Sequence, residues 1–133
     1  MKSVRWMIVL TVLLVMGCAG AEVAPDAVEL GVDFSWKGVK KCSLISPRIR
    51  VSNIPVGTVT LAVKLKDLDV PGWNHGGGTV AYNGNGTLQP GALDNRYNGP
   101  CSPSGSHRYQ FSVRAINAEG VVIGMGKSMK MFP

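Results

Sequence analysis

Two short stretches of this chain hold the residue types that could do chemistry. The first, residues 99–109, reads G-P-C-S-P-S-G-S-H-R-Y and runs from a stiff loop straight into ionisable side chains. Pro100 and Pro103 fix φ and remove backbone donors, while Gly99 and Gly105 admit turns that other residues resist. His107, Arg108 and Tyr109 follow at once, so an imidazole, a guanidinium and a phenol are delivered by a loop with little freedom. The second stretch, Asp67-Leu68-Asp69-Val70-Pro71, is followed by Trp73 and His75. Two carboxylates on one strand face do not enter a core unpaired; one pKa rises, or a cation, an arginine or a histidine must sit beside them. Arg108 and the histidines are the natural partners. Together the stretches predict an anion-binding cavity walled by Asp67, His75, His107 and Tyr109, with loop N–H groups as a nest for a phosphate-like group.

Other chemistry fits less well. Two histidines and two aspartates at these separations match no metal-ligand spacing, so no metal is expected. Neither G-x-S-x-G nor H-E-x-x-H is present, and Ser104 or Ser106 near His107 lacks an evident orienting acid. The expectation is a binding protein without catalytic residues or cofactor.

Strands must position these groups. After the proline loop, Y-Q-F-S-V-R-A-I alternates, with Tyr109, Phe111, Val113 and Ala115 on one face. In V-T-L-A-V-K-L-K, Val59, Leu61, Val63 and Leu65 form a core face, and Thr60, Ala62, Lys64 and Lys66 a wet one. Strands are predicted over residues 28–36, 48–51, 58–66, 79–82, 107–116 and 121–123, with a hairpin turn at residues 117–120. No segment shows a helical period with caps, and 17 glycines and 8 prolines punctuate the chain, so the fold class is all-β. Residues 72–91 read as two loops around a short strand. Trp73 and Tyr82 read as packing residues, and the methionines alternating over residues 125–131 as an edge strand with a partly buried face.

The 133 residues, 45% hydrophobic, suit one domain with a real core. Lys2 and Arg5 precede an apolar run from Trp6 to Met16, too short for a membrane span and suited to a secretory signal. Val15-Met16-Gly17-Cys18 resembles a bacterial lipobox, which makes residues 1–18 a signal and Cys18 the lipidated first residue of the mature chain. Ala19-Gly20-Ala21 offers an ordinary cleavage site instead, with residues 1–21 removed. Residues 19–27 then form a tether and residues 28–133 the domain. The expected location is the bacterial cell envelope, as a membrane-anchored lipoprotein or as a soluble periplasmic or secreted protein. Either cleavage leaves Cys42 and Cys101, which in an oxidising compartment can pair or stay as buried thiols. Without Lys2 and Arg5 the basic count falls from 14 to 12 against 8 acids, a dispersed net charge of about +4. Export argues against a nucleic-acid partner, while contact with anionic lipid headgroups fits the modest charge.

D-L-D-V-P, then His75, then G-P-C-S-P-S-G-S-H-R-Y-Q-F resembles the two signature segments of the phosphatidylethanolamine-binding protein (PEBP) family. Its bacterial, Raf-kinase-inhibitor-like branch reads D-x-D-x-P, H-W and G-P-C-P-P-x-G-x-H-R-Y. Cys42 with Ser46-Pro47, and Asn53-Ile54-Pro55-Val56-Gly57-Thr58, extend the likeness over residues 42–116. The resemblance implies a PEBP-like fold with a large central antiparallel sheet and a small pocket for phosphate, phosphorylethanolamine or similar anions. It implies Asp67, Asp69, His75, Pro100, His107 and Tyr109 as ligand-binding residues. Pro71, Pro103 and Arg108 become structural, Arg108 pairing with a carboxylate behind the pocket. Four departures stand out. Gly76 replaces the usual Trp, and Gly76-Gly77-Gly78 predicts an open or mobile wall. Leu68 and Ser102 each replace a proline, and the chain ends at Pro133 where relatives continue with helical elements, giving a fold shortened at the C-terminus. The implied partners are a small anionic ligand or phospholipid headgroup and a membrane reached through the lipid anchor. With a degenerate pocket, the partner is instead another envelope protein.

Overall fold

The computed structural model describes residues 20–93 and 96–133; the expected signal segment and Cys18 lie outside them. Eight strands follow one another: β1 (Val23–Glu29), β2 (Gly31–Phe34), β3 (Ile49–Ser52), β4 (Thr58–Asp67), β5 (Asn74–Ala81), β6 (Thr87–Leu88), β7 (His107–Asn117) and β8 (Val122–Phe132). Five form one sheet in the order β1-β8-β7-β4-β5, and three form a second in the order β2-β3-β6. The all-β reading holds. Strands β5, β4, β7 and β8 pair antiparallel, whereas β1 joins β8 in parallel. Most of the stretch that composition assigned to a tether is therefore an edge strand, where Pro25 is tolerated because one side of the strand needs no donor.

The core lies between the sheets. Leu61, Val63 and Leu65 of β4 and Tyr109, Phe111, Val113 and Ala115 of β7 are buried, as the period of two demands. Phe34 and Ile49 from the smaller sheet meet them, and Phe34 sets its ring edge-on to Phe111 at 4.9 Å between centroids. Each of these leucine, valine, isoleucine and phenylalanine side chains, fully buried, contributes about 1.5–3 kcal/mol. One position departs from the expected face. The β4–β7 register shifts between Thr58 and Thr60, and this bulge turns Thr58 inward and leaves Val59 44% exposed. Thr58 Oγ1 donates to Pro55 O at 2.7 Å, which satisfies the buried hydroxyl.

Among the described residues, none packs over the other face of the five-stranded sheet. Register aligns Lys66, Gln110 and Met129 in one row, Lys64, Ser112 and Lys127 in the next, and Ala62, Arg114 and Met125 in a third. Strand β8 is not the edge, and its methionines do not pack inward. Their register partners all lie on the outward face of β7, so the alternation that buries Phe111 and Val113 exposes them. At the far end of the sheet Asn117 Oδ1 accepts from the backbone N–H groups of Glu119 and Val121, closing the hairpin.

Candidate functional site

The pocket end of the sheet is where β4 stops and β7 starts, with Asp67 opposite Tyr109 in register. Asp67 is the last residue of β4, still obeys the inward alternation and is buried. Its Oδ1 accepts from the backbone N–H groups of Asp69 (2.8 Å) and Val70 (3.0 Å), and its Oδ2 from His107 Nδ1 (2.6 Å). Burial pushes this carboxyl up, but the His107 and backbone hydrogen bonds outweigh it and hold it below the usual aspartate range. Asp69 lies past the strand end and turns to Arg108. Arg108 Nη2 and Nε donate to Asp69 Oδ1 at 2.7 and 3.1 Å, and the Arg108 backbone N–H to Oδ2 at 2.7 Å. Those bonds hold the Asp69 carboxyl down and raise the guanidinium. The two aspartates expected in one cavity are thus divided. Asp67 lines it, and Asp69 does not.

His107 donates from Nδ1 because an ionised carboxylate can only accept, so Nε2 is the nitrogen left for a ligand. His75 reaches the same state from the opposite wall. Its Nδ1 donates to Asn98 O at 2.8 Å, while its own carbonyl accepts from Asn98 N–H at 2.9 Å. Simple alternation from Val80 and Gly78, which pair with the inward Leu61 and Val63, would point His75 outward. The register shifts instead: Gly77 pairs with Lys64 and Asn74 with Lys66, three steps on β5 against two on β4. The extra residue turns His75 inward, where it is buried with its ring 5.2 Å from that of Tyr109. Gly76 makes the bulge possible at φ +66°, where an added Cβ would meet the Arg96 carbonyl. A Cβ on Gly77 would meet the backbone of Val63 and Lys64. The triple glycine, expected to loosen this wall, is what lets it close.

The proline loop forms the facing wall. Cys42 and Cys101 form a disulfide, Cys42 N–H donates to Pro100 O (2.7 Å) and Gly99 N–H to Ser43 O (2.9 Å). Ser102 Oγ donates to Gly105 O at 2.8 Å and so closes the turn at the position where a proline was expected. Pro100, expected at the ligand, is fully buried and absent from the cavity walls, whereas Pro103, expected to be structural, lines them. Pro71 sits in the turn closed by Trp73 N–H donating to Val70 O. Trp73, expected to pack, is 55% exposed, stacks on the His75 ring and lines the cavity. Its isolation in a glycine-rich stretch was the available signal.

The cavity enclosed by these groups measures about 280 Å³, just below the range usual for drug-sized ligands, which suits a phosphate and a few more atoms. Larger hollows of about 750 and 790 Å³ lie along β2–β3 and on β5, but neither holds a histidine or an aspartate–histidine pair. The small cavity is therefore the candidate site. In its wall the Tyr109 hydroxyl is buried with no close hydrogen-bond partner among the described residues, and burial with the nearby Asp67 charge pushes it up to about 12. Tyr97 Oη, also unpartnered and raised by burial, is not in the cavity wall. Asp67 supplies the orienting acid that the sequence did not reveal for His107. Among the described residues, however, no hydroxyl is hydrogen-bonded to His107, and none of the described groups forms a cluster that could hold a metal.

A family profile described as phosphatidylethanolamine-binding protein matches residues 20–132. A crystal structure from Chlamydia trachomatis, described as that of a PEBP homolog, is similar at a TM-score of 0.56 and 20% identity. The likeness covers 81% of this chain and 98% of that one, and concerns the fold. Among curated proteins none matches.

Proposed function

The chain belongs to the phosphatidylethanolamine-binding protein family, and from that premise we propose an exported, lipid-anchored binding protein whose cavity takes a small phosphate- or carboxylate-bearing anion. The two imidazoles carry this reading: His75 and His107 line one small cavity from opposite walls, beside a buried Tyr109 hydroxyl that has no close hydrogen-bond partner among the described residues. Each imidazole has its Nδ1 already engaged. A hydrogen phosphate group that keeps an O–H can donate it to either free Nε2. The hydrogen bonds to both Asp67 oxygens partly offset its charge, and that charge orients His107. Binding without catalysis fits a site in which Ser102 spends its hydroxyl on Gly105. The glycine run no longer favours a degenerate pocket, since it builds a wall.

Export is supported by the Lys2/Arg5 and Trp6-to-Met16 pattern and by a disulfide suited to an oxidising envelope. Acylation at Cys18 would then hold the domain at a membrane. Residues 20–133 contain the whole core and the disulfide and serve as the test protein. Phosphorylethanolamine and inorganic phosphate should each raise its melting temperature; His107→Ala should lose the response, and Tyr109→Phe should weaken affinity about tenfold. A parent protein that ignores both ligands, or a His107→Ala variant that responds like the parent, refutes the anion pocket. Mass spectrometry of the mature N-terminus decides the anchor: a diacylglyceryl Cys18 is expected, and a free Glu22 overturns it.

A further inference from the structure

The outward face of the five-stranded sheet has a charge pattern that the pocket does not use. Lys64, Lys66, Arg114 and Lys127 stand exposed in neighbouring rows, and none forms an ion pair among the described residues. Acids near this face are fewer: Asp69 is engaged by Arg108, and the edge strand β1 carries Glu29, beside Met125, and Asp26. Among the cations stand Met125, Met129 and Met131, exposed by 42%, 46% and 53%. Towards β5 lies a trough of about 790 Å³, bounded by Lys64, Asn74 and Arg96.

We propose that this face docks on an anionic lipid bilayer. A second copy of the chain would set one cation-rich face against another, so the face does not fit itself. An acidic protein would satisfy the charges but needs matching pockets for three flexible thioether side chains. A bilayer interface meets both demands: anionic headgroups for the cations, and an acyl boundary into which unbranched methionines can dip. The trough beside Lys64 and Arg96 gives a headgroup room. The chain outside the described residues points the same way. If Cys18 is acylated as proposed above, only four residues separate it from Val23, about 17 Å when fully extended. Strand β1 is paired with β8, so the tether would leave the sheet beside the methionine strand. Only this last argument rests on acylation; the charge and methionine pattern stands without it.

The test is co-sedimentation of residues 20–133, which carry no anchor, with phosphatidylcholine vesicles with or without about a third phosphatidylglycerol. Binding is expected to the anionic vesicles alone and should weaken as salt rises from about 0.1 to 0.5 M. Each lysine near an anionic surface is worth about fivefold in partition, so Lys64→Gln/Lys127→Gln should lose about twenty- to thirtyfold. Met129→Ser/Met131→Ser should lose severalfold, and both doubles should keep the parent's melting temperature. His107→Ala should partition like the parent, which separates this face from the pocket. The proposal is overturned if the parent ignores anionic vesicles or binds neutral ones equally well. It is also overturned if the lysine double partitions like the parent, or if polyglutamate binds the parent and displaces it from the vesicles.

Discussion

The two walls of the cavity are made rigid by opposite means. On the loop side the backbone is restricted by Pro100, Pro103, the Cys42–Cys101 bond and two backbone hydrogen bonds to residues 42 and 43. On the β5 side the backbone needs a conformation that side chains resist, and Gly76 supplies it at φ +66°. Prolines and a disulfide stiffen any structure they occur in, because they remove conformations from the unfolded chain as well. A glycine run is flexible in isolation and becomes fixed only when neighbouring backbone closes on it, as Arg96, Val63 and Lys64 do here.

Breaking each wall should therefore have different consequences. Replacing both cysteines by serine frees a closure between residues 59 apart and should destabilise the domain by about 4 kcal/mol, read from the urea midpoint. Stability with intact anion affinity would show that the loop keeps its shape without the bond and would refute its role as a staple. Gly76→Ala meets the Arg96 carbonyl in a left-handed conformation, so a loss of about 2–3 kcal/mol and of phosphate binding is expected. An unchanged midpoint would mean that the bulge is absent and His75 points outward.

Asp67→Asn sits between the walls and should cost about 1–2 kcal/mol near neutral pH. Its folded pKa is lowered, so the carboxylate's contribution is complete above the unfolded range near 4 and is lost as pH falls through the lower folded value. The gap between parent and Asp67→Asn should accordingly close in acid; a gap independent of pH would contradict the His107 pair. Ser102→Ala removes one turn hydrogen bond and should cost about 1 kcal/mol while leaving phosphate affinity unchanged. A large loss of affinity would assign Ser102 to the ligand instead.

Where the determinants were local, the sequence was readable. Alternation placed Tyr109, Phe111, Val113 and Ala115 on the core face, and all four are buried. Two bulges defeated the same rule. Val59 left the core face because one extra residue in β4 shifted the register, and His75 entered it because one extra residue in β5 did the same. Bulges depend on what the partner strand offers, and a period of two contains no record of that. Asp67 and Asp69 separated for a related reason: the strand ends between them, and only the facing β7 entrance, with His107 and Arg108, shows where each carboxylate goes.

The residues alone determined the fold class, the family and the pairing of a stiff loop with histidine, arginine and tyrosine, because these follow from steric limits and side-chain types that hold in any context. Only the tertiary structure decided that Asp67 orients His107, that Trp73 stacks on His75, that the Tyr109 hydroxyl is buried in the cavity wall, and that one sheet face carries exposed lysines and methionines. Those outcomes depend on which distant segments meet, and the energy of a hydrogen bond, an ion pair or a steric clash is set at the meeting point.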